Sequence, residues 1–197
     1  MDKTRMEAFT DGVIAIIITI MVLEMKVPAG SDLSALRSVL PVFLAYALSF
    51  ANVAIFWNNH HHMLQATEKI NGKVLWANTN LLFWMSLSPF AIRWMDDTHF
   101  ASTPTAAYGA VLVMMATAYI FLARTIIAYN GPESKLARAI GRDSKSTISL
   151  MGYLAAIPLA FVRPWISIAL YVFLAMIWFI PDRRIESSLN DQPTSNL

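Results

Sequence analysis

An all-α integral membrane protein is the fold class this chain predicts, and three observations carry the prediction. Of its 197 residues, 56% are hydrophobic and 14% are charged. Soluble domains average about 25% charged residues, so too few charges are present to cover a water-facing surface. The mean hydropathy is +0.50. The apolar residues also cluster into windows, roughly 6–26, 36–58, 74–94, 104–128, 147–163 and 164–181. Each comes close to the length of about 20 residues that a membrane crossing needs. Helix is the expected form, because only a helix pairs its own backbone groups inside lipid.

Each window has its own logic. The first, MDKTRMEAFTDGVIAIIITIMVLEMK, follows Lys3 and Arg5 and could be read as a secretory signal ending near Val27-Pro28-Ala29. Ala8 and Phe9 lengthen it, and Glu24 and Lys26 stand just before the supposed cut, so a retained span is the better reading. The second ends in FWNNHHHM. The third runs to Trp94 and precedes an acidic connection with Asp96 and Asp97. The fourth is followed by a basic loop near 129–146. The last two are short, and only the Arg163-Pro164 corner divides them. They are either a tight hairpin of two spans or one kinked or re-entrant element. Residues 1–185 are thus expected to form one six-helix transmembrane domain. Residues 186–197 form a polar tail expected to be disordered.

Charge placement orients the spans. With both termini on one side, the inner set is Lys3, Arg5, Lys69, Lys73, Arg124, Lys135, Arg138, Arg142, Lys145, Arg183 and Arg184. The outer set is Lys26, Arg37, Arg93 and Arg163. Eleven against four is the bias of cytoplasmic loops, so both termini are expected in the cytoplasm, with the plasma membrane as the location. Trp94 and Trp165 fall near outer ends, and Trp57, Trp76 and Trp178 near inner ends, where indole rings prefer to sit. Trp84 falls mid-span and is expected to pack against protein.

Several functions are excluded. The chain has no cysteine, which removes disulfides, thiolate metal sites and cysteine nucleophiles. No dense basic stripe suggests nucleic acid. No Gly-rich phosphate loop, potassium-channel filter sequence or Ser/His/Asp set at motif spacing is present. His60, His61 and His62 are adjacent, so on a helix they point about 100° apart and do not converge on one metal. No enzyme activity and no cofactor are expected.

Polar groups inside the first span remain to be explained. Ionisable residues at membrane depth are functional candidates. Asp11 sits six residues beyond Arg5, some 120° around a helix at about 3.6 residues per turn, so a direct bridge between them is poor. A partner on the second helix fits better: Trp57 or a histidine lies at the same depth. Gly12, Ile16, Thr19 and Leu23 form one stripe on one helix face, with Ile14, Ile18 and Val22 on the opposite face and Ala15 nearby. The stripe is either a helix–helix contact built on small and polar residues or the wall of an axis shared between subunits.

Arg5-x-x-x-Phe9-Thr10-Asp11 resembles the R-x-x-x-F-S-D signature of the transmembrane protein 175 family, the lysosomal potassium channels and their prokaryotic relatives. Phe56-Trp57-x-x-His60-His61 is similar to that family's W-x-x-H-H region, and the six-span length matches one family repeat. Thr10 replaces the usual serine but keeps the hydroxyl. The resemblance implies a homotetramer around a central pore lined by the first helix, conducting potassium in preference to sodium. It implies a constriction at Ile16, with further rings at Thr19 and Leu23. Arg5, Phe9, Thr10, Asp11, Trp57, His60 and His61 would then be the scaffold that holds the pore helix. Potassium is expected as the permeant ion rather than as a cofactor. Partners would be further copies of the chain, the bilayer and monovalent cations, with no nucleic acid. Glu24, Asp96 and Asp97 are candidates for attracting cations at the outer mouth. The other readings are an ion-coupled carrier using Asp11 and His60–His62, a membrane metalloenzyme or haem protein on those histidines, and a non-conducting scaffold.

Overall fold

The computed structural model describes residues 2–25, 27–140 and 144–179. Lys26, Arg142, Arg183, Arg184 and the polar tail 186–197 lie outside the described residues. Every regular element among the described residues is a helix: α1 (Lys3–Leu23), α2 (Leu36–Gln65), α3 (Gly72–Ser86), α4 (Ser88–Asp97), α5 (Ser102–Asn130), α6 (Lys135–Ile140), α7 (Ser144–Val162) and α8 (Pro164–Phe179).

The boundaries follow local chemistry. Asp2 caps α1, its carboxylate accepting the Thr4 N–H at 3.0 Å. Asn71 does the same for α3 through Val74 N–H. Such caps satisfy donors that the first turn leaves unpaired. Gly131 closes α5 with φ +96°, a left-handed backbone that glycine adopts without steric cost. The Arg163-Pro164 corner is a hairpin of two helices. Proline has no N–H to extend α7, yet it suits the first position of α8. Ser167 Oγ donates to the Ala156 carbonyl at 2.7 Å and Trp178 Nε1 donates to Ser149 Oγ at 2.8 Å, so α7 and α8 run antiparallel.

Three expected boundaries are corrected. The window 74–94 is not one continuous helix: it breaks at Leu87 into α3 and α4. Pro89 cannot donate to the Met85 carbonyl and its ring crowds the preceding turn. The second helix runs past residue 58 to Gln65, because HHHMLQ still offers an inward row at His60, Met63 and Leu64. The loop near 129–146 contains the short helix α6. Among the described residues, four helices are long and apolar enough to cross a membrane: α1, α2, α5 and α7. The apolar α8 is shorter, and the kink shortens α3 and α4 individually.

Helix α5 is the centre of the subunit. Leu112, Met115, Leu122 and Ile126 are fully buried, and α3, α4, α7 and α8 pack around them. Helices α1 and α2 lie at one flank, with α1 resting on α2, α3 and α4. Trp84 is partly buried against this core, while Trp76 and Trp165 are exposed. Asn52 on α2 bridges to the core: it donates to Tyr108 at 3.4 Å and accepts from Tyr153 at 3.3 Å.

Candidate functional site

The first helix has two unlike faces. Met6, Thr10, Ile14, Ile17 and Met21 are buried against the subunit. Gly12, Ile16, Thr19 and Leu23 are all exposed. At about 100° per residue, their stripe is turned roughly 150° from the buried one. Ile16 is 60% exposed and Leu23 76%. Such apolar exposure leaves this surface to lipid or to another chain. Ile14 lies on the buried face and Ile18 is partly buried, as the spacing suggested. Val22 and Ala15 do not join them: both are exposed, because the buried arc is narrower than half the helix. Thr19 donates its hydroxyl to the Ala15 carbonyl at 2.7 Å. Its proton is engaged within the helix, so the oxygen's outward capacity is as an acceptor.

The other polar residues of α1 hold it in place. Trp57 Nε1 donates to Asp11 Oδ1 at 2.8 Å, joining α2 to α1. Asp11 lies in the third turn, so it is not a helix cap. One step away, inside the protein, Asn78 Nδ2 donates to Thr10 Oγ1 at 2.8 Å and Asn78 Oδ1 pairs with His60 Nε2 at 2.7 Å. Thr10, Asn78 and His60 are all buried, with His60 only 3% exposed. This chain ties α1, α3 and α2 together. The amide oxygen can only accept, so His60 carries its proton on Nε2. Unpaired, these groups would each cost desolvation energy; paired, they set the rotation of α1.

Cations pin both ends of α1. Lys3 donates to the Leu64 and Thr67 carbonyls at 2.8 and 3.2 Å, occupying the end of α2. Arg93 donates to the Glu24 carbonyl at 2.6 Å, occupying the end of α1. Both placements satisfy orphan carbonyls and oppose the helix dipole. Arg93 also pairs with Glu24 Oε2 at 2.8 Å and Asp97 Oδ2 at 2.7 Å. Asp96 adds negative charge beside Arg93. Glu24 and Asp97 are therefore tied to one guanidinium, and the three carry one net negative charge.

The remaining candidates scatter. Arg5 and Phe9 are exposed, and Arg5 makes no hydrogen bond or ion pair to the described residues. His61 stacks on Trp57, ring centroids 6.0 Å apart, and pairs with Gln65 at 2.8 Å. His62 Nδ1 is buried without a hydrogen-bond partner among the described residues. Among the described residues, no three His, Asp or Glu side chains converge as metal ligands. Lys3, Arg93, Asn78 and Asn52 were not singled out from the sequence. Asn78 and Asn52 had a signal: an amide inside an apolar span needs a partner.

Comparison with known proteins places this arrangement. The model of the endosomal/lysosomal potassium channel TMEM175 family matches residues 5–89, which hold most of α1 with Thr10, Asp11, Trp57, His60 and Asn78, but not Lys3 or Arg93. A potassium channel of Chryseobacterium sp. (strain P1-3) is 52% identical over 97% of this chain and 100% of its own length. The chain belongs to the TMEM175 family. The crystal structure of a TMEM175 homolog from Chamaesiphon minutus, described as a lysosomal potassium-selective channel homolog, superposes with a TM-score of 0.79. That match has 27% identity and covers 90% of this chain and 96% of the other. The human endosomal/lysosomal proton channel TMEM175 is 34% identical over 53% of this chain, which corresponds to 23% of its length. The TMEM175 relatives are ion channels and not enzymes. Membership adds functional context to α1, whose exposed stripe and buried anchors both fall in the matched segment.

Proposed function

We propose that this TMEM175 member is a potassium-preferring passive cation channel in the plasma membrane, with both termini cytoplasmic. Each subunit crosses the membrane six times, the α3–α4 pair and α8 completing the four long helices. Four subunits surround a pore lined by their α1 helices, with Ile16 at the constriction and Thr19 and Leu23 beyond it. The observation that carries the reading is the exposed Gly12, Ile16, Thr19 and Leu23 stripe, turned away from a face that four separate attachments hold in place. One subunit offers only a single such wall, so a closed pore requires copies.

The chemistry of the stripe suits cations. A ring of Ile16 side chains excludes hydrated ions by dewetting until it widens. Thr19 oxygens, their protons bound to Ala15, face the ion as acceptors. At the outer mouth the attraction is modest, because Glu24 and Asp97 share Arg93. The coupled-carrier reading has less support. Asp11 meets an indole, which donates but has no acceptor nitrogen. His60 is turned toward Asn78.

Potassium and sodium flux through purified protein in liposomes tests the reading. The Ile16→Asn variant is expected to raise leak and narrow the preference for potassium, because a polar ring no longer dewets. Unchanged flux and ion preference in that variant would remove Ile16 from the constriction.

A further inference from the structure

A second exposed apolar feature lies away from α1. Helices α2 and α8 run side by side in the same direction and enclose a groove of about 570 Å3. Leu40, Leu44 and Ala51 follow one another down the α2 wall, while Trp165, Val172 and Met176 follow one another down the α8 wall. The groove therefore keeps one register from the start of both helices. From Leu40 to Ala51 it extends roughly 17 Å at 1.5 Å per residue. One leaflet of a hydrocarbon core about 30 Å thick is close to that depth.

The two ends of the groove differ. Its deep part is aliphatic. At its mouth stand Arg37, one turn before Leu40 and Pro41, and Arg163, two residues before Trp165. Both arginines are exposed and neither meets a carboxylate among the described residues. The α2 start lies at this same end. No side chain caps it, and its first turn has no acidic residue. Its first N–H groups, those of Leu36, Arg37 and Ser38, donate to the carbonyls of Leu33, Ser34 and Ala35, so the positive charge at this end comes from the arginine side chains. Phe100 forms part of the mouth, its ring tilted against Trp165 with centroids 5.2 Å apart. It is held there by an unusual turn: His99 and Phe100 have φ of 50° and 61°. Two successive non-glycine residues in the left-handed region carry a backbone cost, which the aromatic wall of the groove helps to offset.

We infer that the α2–α8 groove is a binding site for one anionic phospholipid of the leaflet opposite the amino terminus. An acyl chain lies between Leu44 and Val172, and the phosphate sits between Arg37 and Arg163. The length of the apolar trough matches one leaflet, and positive charge is confined to the end where a headgroup belongs. Guanidinium groups pair with phosphate in a bidentate manner. The site is independent of the α1 stripe and stands whether or not that stripe lines a pore.

Native mass spectrometry of the full chain in mild detergent tests the site, with phosphatidylglycerol and phosphatidylcholine as probes. One phosphatidylglycerol per chain is expected to remain bound after delipidation, in preference to phosphatidylcholine. An R37Q/R163Q double variant should lower its occupancy about 30-fold with the oligomeric mass unchanged, given the usual contribution of each arginine near an anionic headgroup. Leu44→Trp fills the trough and leaves the arginines intact; it should also displace the lipid. Equal retention of both lipids, or phosphatidylglycerol retention unaffected by both variants, overturns the proposal. The chain has no native cysteine, so Leu44→Cys gives a further check. Disulfide cross-linking of that variant between chains would show that a second copy covers the groove, and would overturn the lipid site.

Discussion

The most apolar 18-residue stretches of helices α1 and α5 have the same mean hydropathy, 2.0, yet the two helices do opposite things. Helix α5 is wrapped by four neighbours and buries residues along its whole length, from Pro104 to Ile126. Helix α1 buries one stripe and leaves the rest uncovered. Their polar residues divide in the same way. On α5, Tyr108 is sealed into the core beside Asn52, and Thr105 gives its carbonyl to Tyr171 at 3.1 Å. On α1, Thr10 points inward to Asn78 while Thr19 points outward. Hydropathy measures how much a helix avoids water. It does not say whether lipid, protein or a pore replaces that water.

Substitutions at matched positions can break or sharpen this contrast. The largest expected effect is at Leu122, fully buried on α5. Leu122→Ala should cost about 2–5 kcal/mol through lost packing and a cavity. Leu23→Ala on the exposed stripe should change stability by less than about 0.5 kcal/mol while altering ion flux. Thermal unfolding in detergent compares the two, and equal losses would show that Leu23 is packed as tightly as Leu122.

Asn78→Ala comes next. It leaves the Thr10 hydroxyl and the His60 Nε2–H without their observed partner in a buried site, so about 1–3 kcal/mol should be lost. Asn78→Asp, which keeps the acceptor for His60, should recover part of that loss if the His60 bond is the main contribution. The same unfolding measurement decides it.

Gly109 on α5 and Gly12 on α1 give the cleanest pair. A Cβ on Gly109 would stand 2.2 Å from the Tyr171 hydroxyl oxygen and 3.0 Å from its Cζ. Gly109→Ala should therefore destabilise by about 1–3 kcal/mol, because Tyr171 must move within a filled core. A Cβ on Gly12 would meet nothing within 4 Å. Gly12→Ala, the smallest effect, should leave stability unchanged or raise it by about 0.5–1 kcal/mol through reduced backbone freedom. A large loss at Gly12 in the assembled protein, but not in the dissociated subunit, would locate a close helix contact there.

Much of this was legible in the residues. Depth alone put Asp11 beside the FWNNHHHM run, and charge type required a donor there. Which donor answered was not legible. Trp57 took the carboxylate, while His60, three residues on and about 300° around the helix, turned inward to Asn78. The kink at Leu87 could have been read from Pro89. Its consequence could not: the turned α4 brings Arg93 to the end of α1.

The sequence by itself determined that this chain is a helical membrane protein, roughly where its apolar spans lie, and that the first of them carries a Gly12, Ile16, Thr19 and Leu23 stripe. Those are properties of composition and of a 3.6-residue period, both local. Only the tertiary structure decided which way that stripe faces. Rotation of α1 is set by partners distant in sequence: Asn78 for Thr10, Trp57 for Asp11, Arg93 for the Glu24 carbonyl. Because both faces of α1 are apolar, hydrophobicity cannot choose between them. A few hydrogen bonds that must be satisfied away from water make the choice.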